Sequence, residues 1–286
     1  MKRIAINLSV GLLAFALGVF VASVLHRINT ATNSQPSLIP SSALLTPPAI
    51  PEPAPTPAGQ IVFGRDRRKI VPEEVQLKSE RLRYDVGITF PQIVGSENFQ
   101  IRKLNQRMEQ LAVDQYQWLL SPSKEDLHYY RTGNHQEAFN SLYMDYRVVL
   151  ATDSVLSIYF DAYSYGIGAG HPVQYSFVIN YDLVSGKELK LARLFKRDSK
   201  YLEFISRYCS DKVSKEIPQD SLFAEALAPI VANFESWNLT SNGIRFNFDE
   251  CKLSGCAAGE HTVEIPYAEM TTILNTEMKL LKQLGV

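Results

Sequence analysis

The stretch LYMDYRVVLATDSVLSIYFDAYSYGIGAGHPVQYSFVINYDLVSG, residues 142–186, decides the fold class of this chain. Apolar residues alternate with polar ones along 142–150 and 156–162, and the polar segment 151–154 separates the two runs. A period of two is typical of a half-buried strand, so two runs around a short turn predict an antiparallel hairpin. After a glycine-rich break the alternation continues along 173–181, which predicts the third strand of a β-meander.

Helical patterns lie on both sides of this meander. Apolar residues recur every three to five positions within 98–120, which predicts an amphipathic helix. A second helical region is predicted from 199 to 228 with a break at Pro218, and a last helix is predicted from about Thr271. The predicted class is α+β: an antiparallel β-meander packed with helices.

Shorter extended segments complete this prediction. A strand that begins near Leu82 should end at the turn marked by Pro91. A second hairpin is predicted around Ser241-Asn242-Gly243, and Val263-Glu264-Ile265 follows it as a further strand.

The composition excludes one class of partner. The chain has 286 residues, of which 45% are hydrophobic, so it can bury a sizeable core. Its 29 basic and 30 acidic residues give a formal charge of -1. Without a bulk positive field, a nucleic-acid partner is not expected.

The N-terminus predicts a membrane anchor over residues 1–28. Residues Ile4–Leu25 are almost entirely apolar, and a helix of that length spans roughly 33 Å, about one hydrocarbon core. Lys2 and Arg3 precede it, so the positive-inside rule places the rest of the chain on the periplasmic or extracellular side. A cleaved signal peptide is the alternative, although the apolar run exceeds the usual h-region of about 7 to 15 residues. Both interpretations predict export.

Residues 29–74 are predicted to be a linker. The segment is rich in proline, including PEPAPTP at 51–57, and such chain favours polyproline II at roughly 3.1 Å per residue. The basic run RDRRK at 65–69 is interpreted as solvated surface. A single folded domain is then expected over 75–286.

No enzyme signature is present in the sequence. Among the histidines, His171 alone follows a glycine-rich turn, where a side chain could face a cleft. Neither a metal-binding His or Cys spacing nor a Gly-x-Ser-x-Gly elbow occurs, so no metal, cofactor or acyl-transfer chemistry is expected. Asp161 and Glu264 are interpreted as solvent-facing carboxylates of strands.

The cysteines give a more specific hypothesis. Cys251 and Cys256 flank a short segment of turn residues, and an oxidising compartment would allow them to form a disulfide. Cys209 falls on the apolar face of its predicted helix and is interpreted as a buried hydrophobe. Asn238-Leu239-Thr240 has the form of a glycosylation sequon that we expect to be idle.

Several segments together resemble the extracytoplasmic domain of RsiV-type anti-sigma factors, which sense lysozyme, and of some peptidoglycan deacetylases. The likeness covers roughly 75–284. The segments that carry it are Tyr165-Gly166-Ile167-Gly168-Ala169-Gly170-His171-Pro172, Asn180-Tyr181-Asp182, Gly243-Ile244, Phe246, Phe248 and Ile265-Pro266-Tyr267.

The resemblance implies an α+β domain behind a membrane anchor, with a role in binding or sensing at the cell envelope. Candidate ligand-binding residues from the matching loop are Tyr165, Gly168, Gly170, His171 and Pro172. Three residues precede the apolar segment Ile4–Leu25, so anti-sigma activity is not expected, and a deacetylase domain is not recognised. Two departures from the family pattern occur: the order of the glycine-rich turn, and two cysteines where tyrosines are usual.

The leading hypothesis is a membrane-anchored, non-enzymatic module that recognises a lysozyme-like protein or a cell-wall glycan such as peptidoglycan. The alternative is a hydrolase of wall material in which His171 and a nearby carboxylate act as acid and base. A structural envelope protein is the third hypothesis, which an exposed apolar patch or a polar pocket would help to distinguish from the others.

Overall fold

The computed structural model describes residues 61–132 and 138–285. The predicted anchor and most of the predicted linker lie outside the described residues, so those predictions stay untested. None of the helices in the two described ranges combines the length and apolarity needed to cross a bilayer.

A large sheet of seven strands organises the domain, with the strands in spatial order β1 to β7. Neighbouring strands are antiparallel except β3 and β4, which run parallel. Their bounds are β1 Ile61–Phe63, β2 Arg68–Ser79, β3 Tyr84–Val94, β4 Asn140–Ala151, β5 Val155–Tyr165, β6 Val173–Asp182 and β7 Lys187–Glu188. The predicted meander from β4 to β6 is confirmed. The parallel pairing of β3 with β4 was not predicted, and the helical crossover between these two strands is what permits it.

That crossover contains helices α1, Phe99–Tyr116, and α2, Lys124–Arg131. Asn98 caps α1 by accepting a hydrogen bond from the Gln100 backbone N–H, and Ser123 caps α2. The buried face of α1 carries apolar side chains at helical spacing, as predicted, and packs on the large sheet. These side chains are Ile101, Leu104, Met108, Leu111 and Ala112.

One face of β5 contributes four residues to this helix-side core. Leu156, Ile158, Phe160 and Ala162 are fully buried, and the Phe160 ring stacks on Phe177 of β6 with centroids 5.0 Å apart. Because successive side chains of a strand point to opposite faces, the residues between them face the other side of the sheet.

A second core lies against that other side. It is built from a three-stranded antiparallel sheet in the order β10-β9-β8 and from helices α3 and α4. The bounds are α3 Tyr201–Val213, β8 Trp237–Leu239, β9 Gly243–Phe248, β10 His261–Pro266 and α4 Lys279–Gln283. The two layers of sheet with helices confirm the α+β class.

The predicted domain boundary at residue 75 is wrong, because β1 begins at Ile61 and β2 at Arg68. Phe63 and Ile70 are buried in the helix-side core, which draws this segment into the sheet. Arg68 is 7% exposed, and its Nε donates to Asp66 at 2.7 Å. The interpretation of the basic run as solvated surface therefore fails at Arg68.

Two predicted helices are shorter than expected. Only Tyr201–Val213 of the region 199–228 is α-helical, and Ala224–Leu227 forms a single 3-10 turn. The last helix begins at Lys279 rather than near Thr271. Apolar spacing alone overestimated both helices, because irregular chain can also direct apolar side chains into a core.

Candidate functional site

A chain of buried polar side chains joins the two sheets. The Asn238 amide on β8 donates to the Ser157 hydroxyl at 2.9 Å and to the Ile158 carbonyl at 3.1 Å. Ser157 donates to Asn180 at 2.7 Å, and Asn247 donates to Asn238 at 3.0 Å. Since each buried polar group has a partner, this polar seam fixes how β8 and β9 lie on β5 and β6.

The polar seam also buries the asparagine of the sequon Asn238-Leu239-Thr240. Asn238 is 0% exposed, and its amide nitrogen is engaged inside the domain. Folded chain therefore does not present this nitrogen to a modifying enzyme.

The polar seam continues to the surface at β6. Asn247 lies 3.4 Å from the Ser236 hydroxyl, which lies 3.3 Å from the Ser176 hydroxyl. Ser176 then donates to the carboxylate of Asp249 at 2.5 Å. A continuous set of hydrogen bonds thus positions Asp249 from the interior of the domain.

Asp249 begins a loop, residues 249–260, that lies over the polar face of β5 and β6. Glu250 accepts a hydrogen bond from the Gln174 backbone N–H at 3.1 Å, and Glu260 accepts one from the Tyr159 hydroxyl at 3.1 Å. Both ends of the loop are therefore bound to the large sheet through carboxylates.

The middle of the loop is held in two further ways. Cys251 and Cys256 are joined by a disulfide. Leu253 is buried in the second core, and its carbonyl accepts a hydrogen bond from the Phe223 N–H at 2.8 Å. The disulfide places a covalent link within the segment that presents Asp249, Glu250 and Glu260.

These three carboxylates and Asp161 form what we call the carboxylate cluster. Asp161 is half-buried on β5 and accepts a hydrogen bond from the Gln174 amide at 3.0 Å. Burial raises the pKa of its carboxyl, the bond from Gln174 lowers it in part, and the charge of Glu260 raises it further. Asp161 is therefore not the solvent-facing residue expected from the sequence, and neither is Glu264, which is half-buried and pairs with Arg245 at 3.3 Å.

Aromatic and basic side chains surround Asp161. The Arg147 guanidinium lies 4.6 Å from the centre of the Tyr159 ring, and its charge lowers the pKa of Asp161. Burial raises the pKa of the Tyr159 hydroxyl, and it raises that of Tyr163 as well. Both phenols therefore stay protonated at neutral pH and can donate hydrogen bonds.

An open groove of about 360 Å³ adjoins the carboxylate cluster along β6. We call it the edge groove. Polar side chains predominate among the residues that line it, and Ser176 and Asp249 belong to it as well as to the polar seam. The lining residues are Ser176, Phe177, Val178, Ala232, Asn233, Glu235, Ser236, Asn247, Asp249 and Lys252.

The loop that the sequence singled out lies at one end of the hairpin of β5 and β6. Tyr165 ends β5, and Gly168 has φ of +91° and approaches the Tyr129 hydroxyl of α2 so closely that a side chain would clash. His171 is exposed, with its Nδ1 2.7 Å from the Pro172 carbonyl oxygen, and Gly170 is open to solvent. None of these five candidate residues lines the edge groove, so their role in binding stays a prediction.

Within residues 61–132 and 138–285, no three His, Cys, Asp or Glu side chains are arranged to hold a metal ion. The carboxylate cluster is therefore described by its hydrogen bonds and charges. It can accept hydrogen bonds and attract cationic groups.

Comparison with known proteins adds a family. A model described as "Protein of unknown function (DUF3298)" matches residues 192–268. This stretch matches the DUF3298 family. The match covers α3, the small sheet and the loop 249–260, and thus one side of the carboxylate cluster and of the edge groove.

The peptidoglycan-N-acetylmuramic acid deacetylase PdaC of Bacillus subtilis (strain 168) is 26% identical over 194 residues. The aligned part is 67% of this chain and 40% of the deacetylase, so the chain spans about two fifths of that relative. The expected resemblance to a domain of unknown function shared with some peptidoglycan deacetylases is confirmed.

A solved structure shows the same fold. A DUF3298 family member from Bacteroides fragilis NCTC 9343 superposes with a TM-score of 0.55 at 16% identity, over 76% of this chain and 96% of that one. A DUF3298 family protein from Pseudomonas aeruginosa PAO1 gives a TM-score of 0.49 at 16% identity, over 73% and 94% of the two chains.

The sequence offered little signal for the carboxylate cluster. Asp161 and Gln174 belong to strands in which alternation identifies only the apolar face. Gln174 and its partner Glu250 are 76 residues apart in the chain, and one sequence does not reveal such a long-range contact. The run Tyr159, Asp161, Tyr163 on one face was the available clue.

Proposed function

We propose that this domain is a non-enzymatic binding module of the cell envelope, and that its ligand occupies the carboxylate cluster and the edge groove. The observation that carries the proposal is the loop 249–260, which is held over the polar face of β5 and β6 by three carboxylates. A preformed concave site with convergent polar groups is typical of a binding site. The DUF3298 match and the deacetylase relative support an envelope setting.

Charge favours one of the two expected ligands. The carboxylate cluster contains four acidic side chains, and Arg147 is the basic residue that contacts Tyr159 beside them. A surplus of negative charge in a half-buried site attracts cationic groups and repels anionic ones. A lysozyme-like protein that presents basic side chains fits this chemistry better than a glycan that carries carboxylates.

Surface plasmon resonance tests the proposal. The full-length chain is passed over immobilised lysozyme and, in parallel, over immobilised peptidoglycan fragments. We expect saturable binding to lysozyme, and we expect Glu260→Gln to weaken it about tenfold, because the change removes the charge of an exposed carboxylate that would pair with a basic side chain of the ligand. Glu269→Gln, at an exposed carboxylate outside the cluster, is the matched control and should bind normally.

Each other outcome has a definite meaning. Saturable binding to peptidoglycan alone would assign the site to a glycan. Binding to neither surface would refute both named ligands. Equal affinities for wild type and Glu260→Gln would remove the carboxylate cluster from the site.

One observation favours a second candidate function. Asp161 has a raised pKa and lies near Glu260, and two carboxylates in unequal environments can act as acid and base in glycan hydrolysis. His171, the base first considered, is exposed and contacts the carbonyl of its own neighbour. Release of soluble muropeptides from peptidoglycan by wild type, but not by Asp161→Asn, would establish the hydrolase.

We also propose that Ile4–Leu25 anchors the domain on the outer side of a membrane. The length of this apolar segment and the basic residues before it support the proposal. Membrane fractionation and protease treatment of intact cells test it. The domain should sediment with membranes, and protease should degrade it once the enzyme can reach the outer side of that membrane.

A further inference from the structure

The strand β6 has an open edge beside the edge groove. On one side β6 pairs with β5 along its whole length, from Val173 to Asp182. On the other side β7 pairs only with Tyr181 and Asp182. The preceding part of β6 thus has no strand neighbour on that side among the described residues.

The alternation of a strand shows which backbone groups point outward. The Gln174 N–H donates away from β5 to Glu250, and the Asn180 carbonyl accepts from the Leu189 N–H on the side of β7. In an antiparallel strand the N–H and C=O of every second residue point the same way. The N–H and C=O of Ser176 and Val178 therefore point toward the open side.

Those two residues line the edge groove, together with Phe177 between them. In the part of the chain that the structure describes, no residue forms a hydrogen bond with their outward N–H and C=O groups. Three residues of strand extend over roughly 10 Å, which is room for a short piece of extended backbone. An open edge beside a groove is where proteins add a strand from another chain.

The charged residues that line the edge groove indicate the chemistry of the occupant. Glu235 and Asp249 supply two carboxylates, against one cation from Lys252. Ile230 and Val231 precede the lining residue Ala232 in the chain and are 53% and 54% exposed, so they offer apolar surface to an occupant. A peptide with a basic side chain beside an apolar one complements both features.

We propose that the open edge of β6 binds a short extended peptide by strand addition, with a basic side chain of the peptide directed to Asp249 and Glu235. This inference deepens the proposed binding function and rests on it. The peptide backbone pairs with Ser176 and Val178, and an apolar side chain of the peptide packs on Ile230 and Val231.

Nuclear magnetic resonance of the full-length chain tests this with the probe acetyl-Val-Lys-Val-amide. Saturable shifts and slowed amide exchange are expected at Ser176 and Val178, since a paired N–H is protected from solvent. Because adjacent N–H groups of an extended peptide point to opposite sides, N-methylation of the central residue and of a flanking residue must give opposite results. One methylated probe should retain the parent affinity, and the other should lose at least about tenfold.

A change on the protein tests the charge. Asp249→Asn should weaken binding of the lysine probe by about tenfold and leave a probe with alanine in place of lysine unaffected. Asp211→Asn, at an exposed carboxylate of α3, is the control. Equal binding of both methylated probes, or absence of saturable shifts at Ser176 and Val178 up to about 10 mM probe, would overturn the inference.

The outcomes separate this inference from the proposed function. If lysozyme or peptidoglycan binds and the probes leave Ser176 and Val178 unchanged, the envelope function stands and the peptide edge is refuted. If the probes bind as expected and neither envelope ligand binds, the peptide edge stands and the two named ligands are refuted.

Discussion

The two faces of β5 serve different purposes, although they belong to the same residues 155–165. Leu156, Ile158 and Phe160 on one face are fully buried against α1 and β6. Ser157, Tyr159 and Asp161 on the other face carry the polar seam and the carboxylate cluster. One face stabilises the fold through apolar burial, and the other presents polar groups that burial tends to destabilise.

The largest expected effect is a loss of stability from a change on the apolar face of β5. Phe160→Ala leaves a cavity where the ring stacks on Phe177, so the free energy of unfolding should fall by about 3–5 kcal/mol. Urea denaturation measures this change. Ligand affinity per folded molecule should stay within twofold of wild type. Phe223→Ala, at an exposed phenylalanine, should change stability by less than about 0.5 kcal/mol.

The next effect concerns the polar seam, which joins the two sheets. Asn238→Ala removes the donor to Ser157 and Ile158 and leaves buried partners unsatisfied, which should cost roughly 2–3 kcal/mol. Because the seam also positions Asp249, ligand affinity should fall as well, in contrast to Phe160→Ala. Unchanged affinity would show that the seam is structural only. Gln219→Ala, at an exposed amide, is the control.

A third variant loosens the loop that covers the polar face. The double change Cys251→Ser and Cys256→Ser should lower stability by about 2 kcal/mol on the loop-entropy model. Ligand affinity should fall too, because the loop presents Asp249 and Glu260. Intact-mass measurement before and after reduction checks the disulfide. Two free thiols in exported protein would refute the disulfide. As a control, reductant should not change the stability of the double variant.

The smallest effect has the opposite sign. Asp161→Asn should raise stability at neutral pH by about 0.5 kcal/mol once solvent screening is allowed for, while ligand affinity falls. The pKa of Asp161 is raised in the folded protein, so the folded state binds this proton more tightly than the unfolded chain. Protonated Asp161 therefore contributes to the free energy of unfolding. This contribution is fully present below the unfolded pKa of 3.8 and is lost as pH rises through the folded pKa.

Thermal unfolding at several pH values checks this prediction. The difference between Asp161→Asn and wild type should be smallest near pH 3 and grow as Asp161 ionises. Asp211→Asn, at an exposed carboxylate, should show no such trend. A lower melting temperature for Asp161→Asn at neutral pH would contradict the expectation that the charge of Asp161 lowers stability.

Local pattern was sufficient for much of the fold. Alternation found β4, β5 and β6 nearly to their ends, and apolar spacing found α1, because those residues are buried on one face only. It missed the short elements β1, β7 and α2, and it also missed β2, because the start of the domain was placed after Arg68 had entered that strand. The basic character of 65–69 hid the buried role of Arg68, which depends on Asp66 and Asp153.

Local pattern did not predict the candidate site. The matching loop drew attention to His171 and Gly168, because glycine and histidine are conspicuous in a sequence. The structure instead brings Asp161 together with Glu260 and Asp249, whose charges both raise its pKa. Carboxylates on separate elements give no local sequence signal that they lie close together in the folded protein.

The sequence by itself determined the α+β class, the apolar face of each strand and the spacing of the two cysteines, because these depend on residues close together in the chain. Only the tertiary structure decided that the polar face of β5 meets the loop 249–260, and that β6 keeps an open edge beside it. The physical reason is that charge, burial and strand pairing between distant segments depend on how the two sheets pack, which no local period encodes.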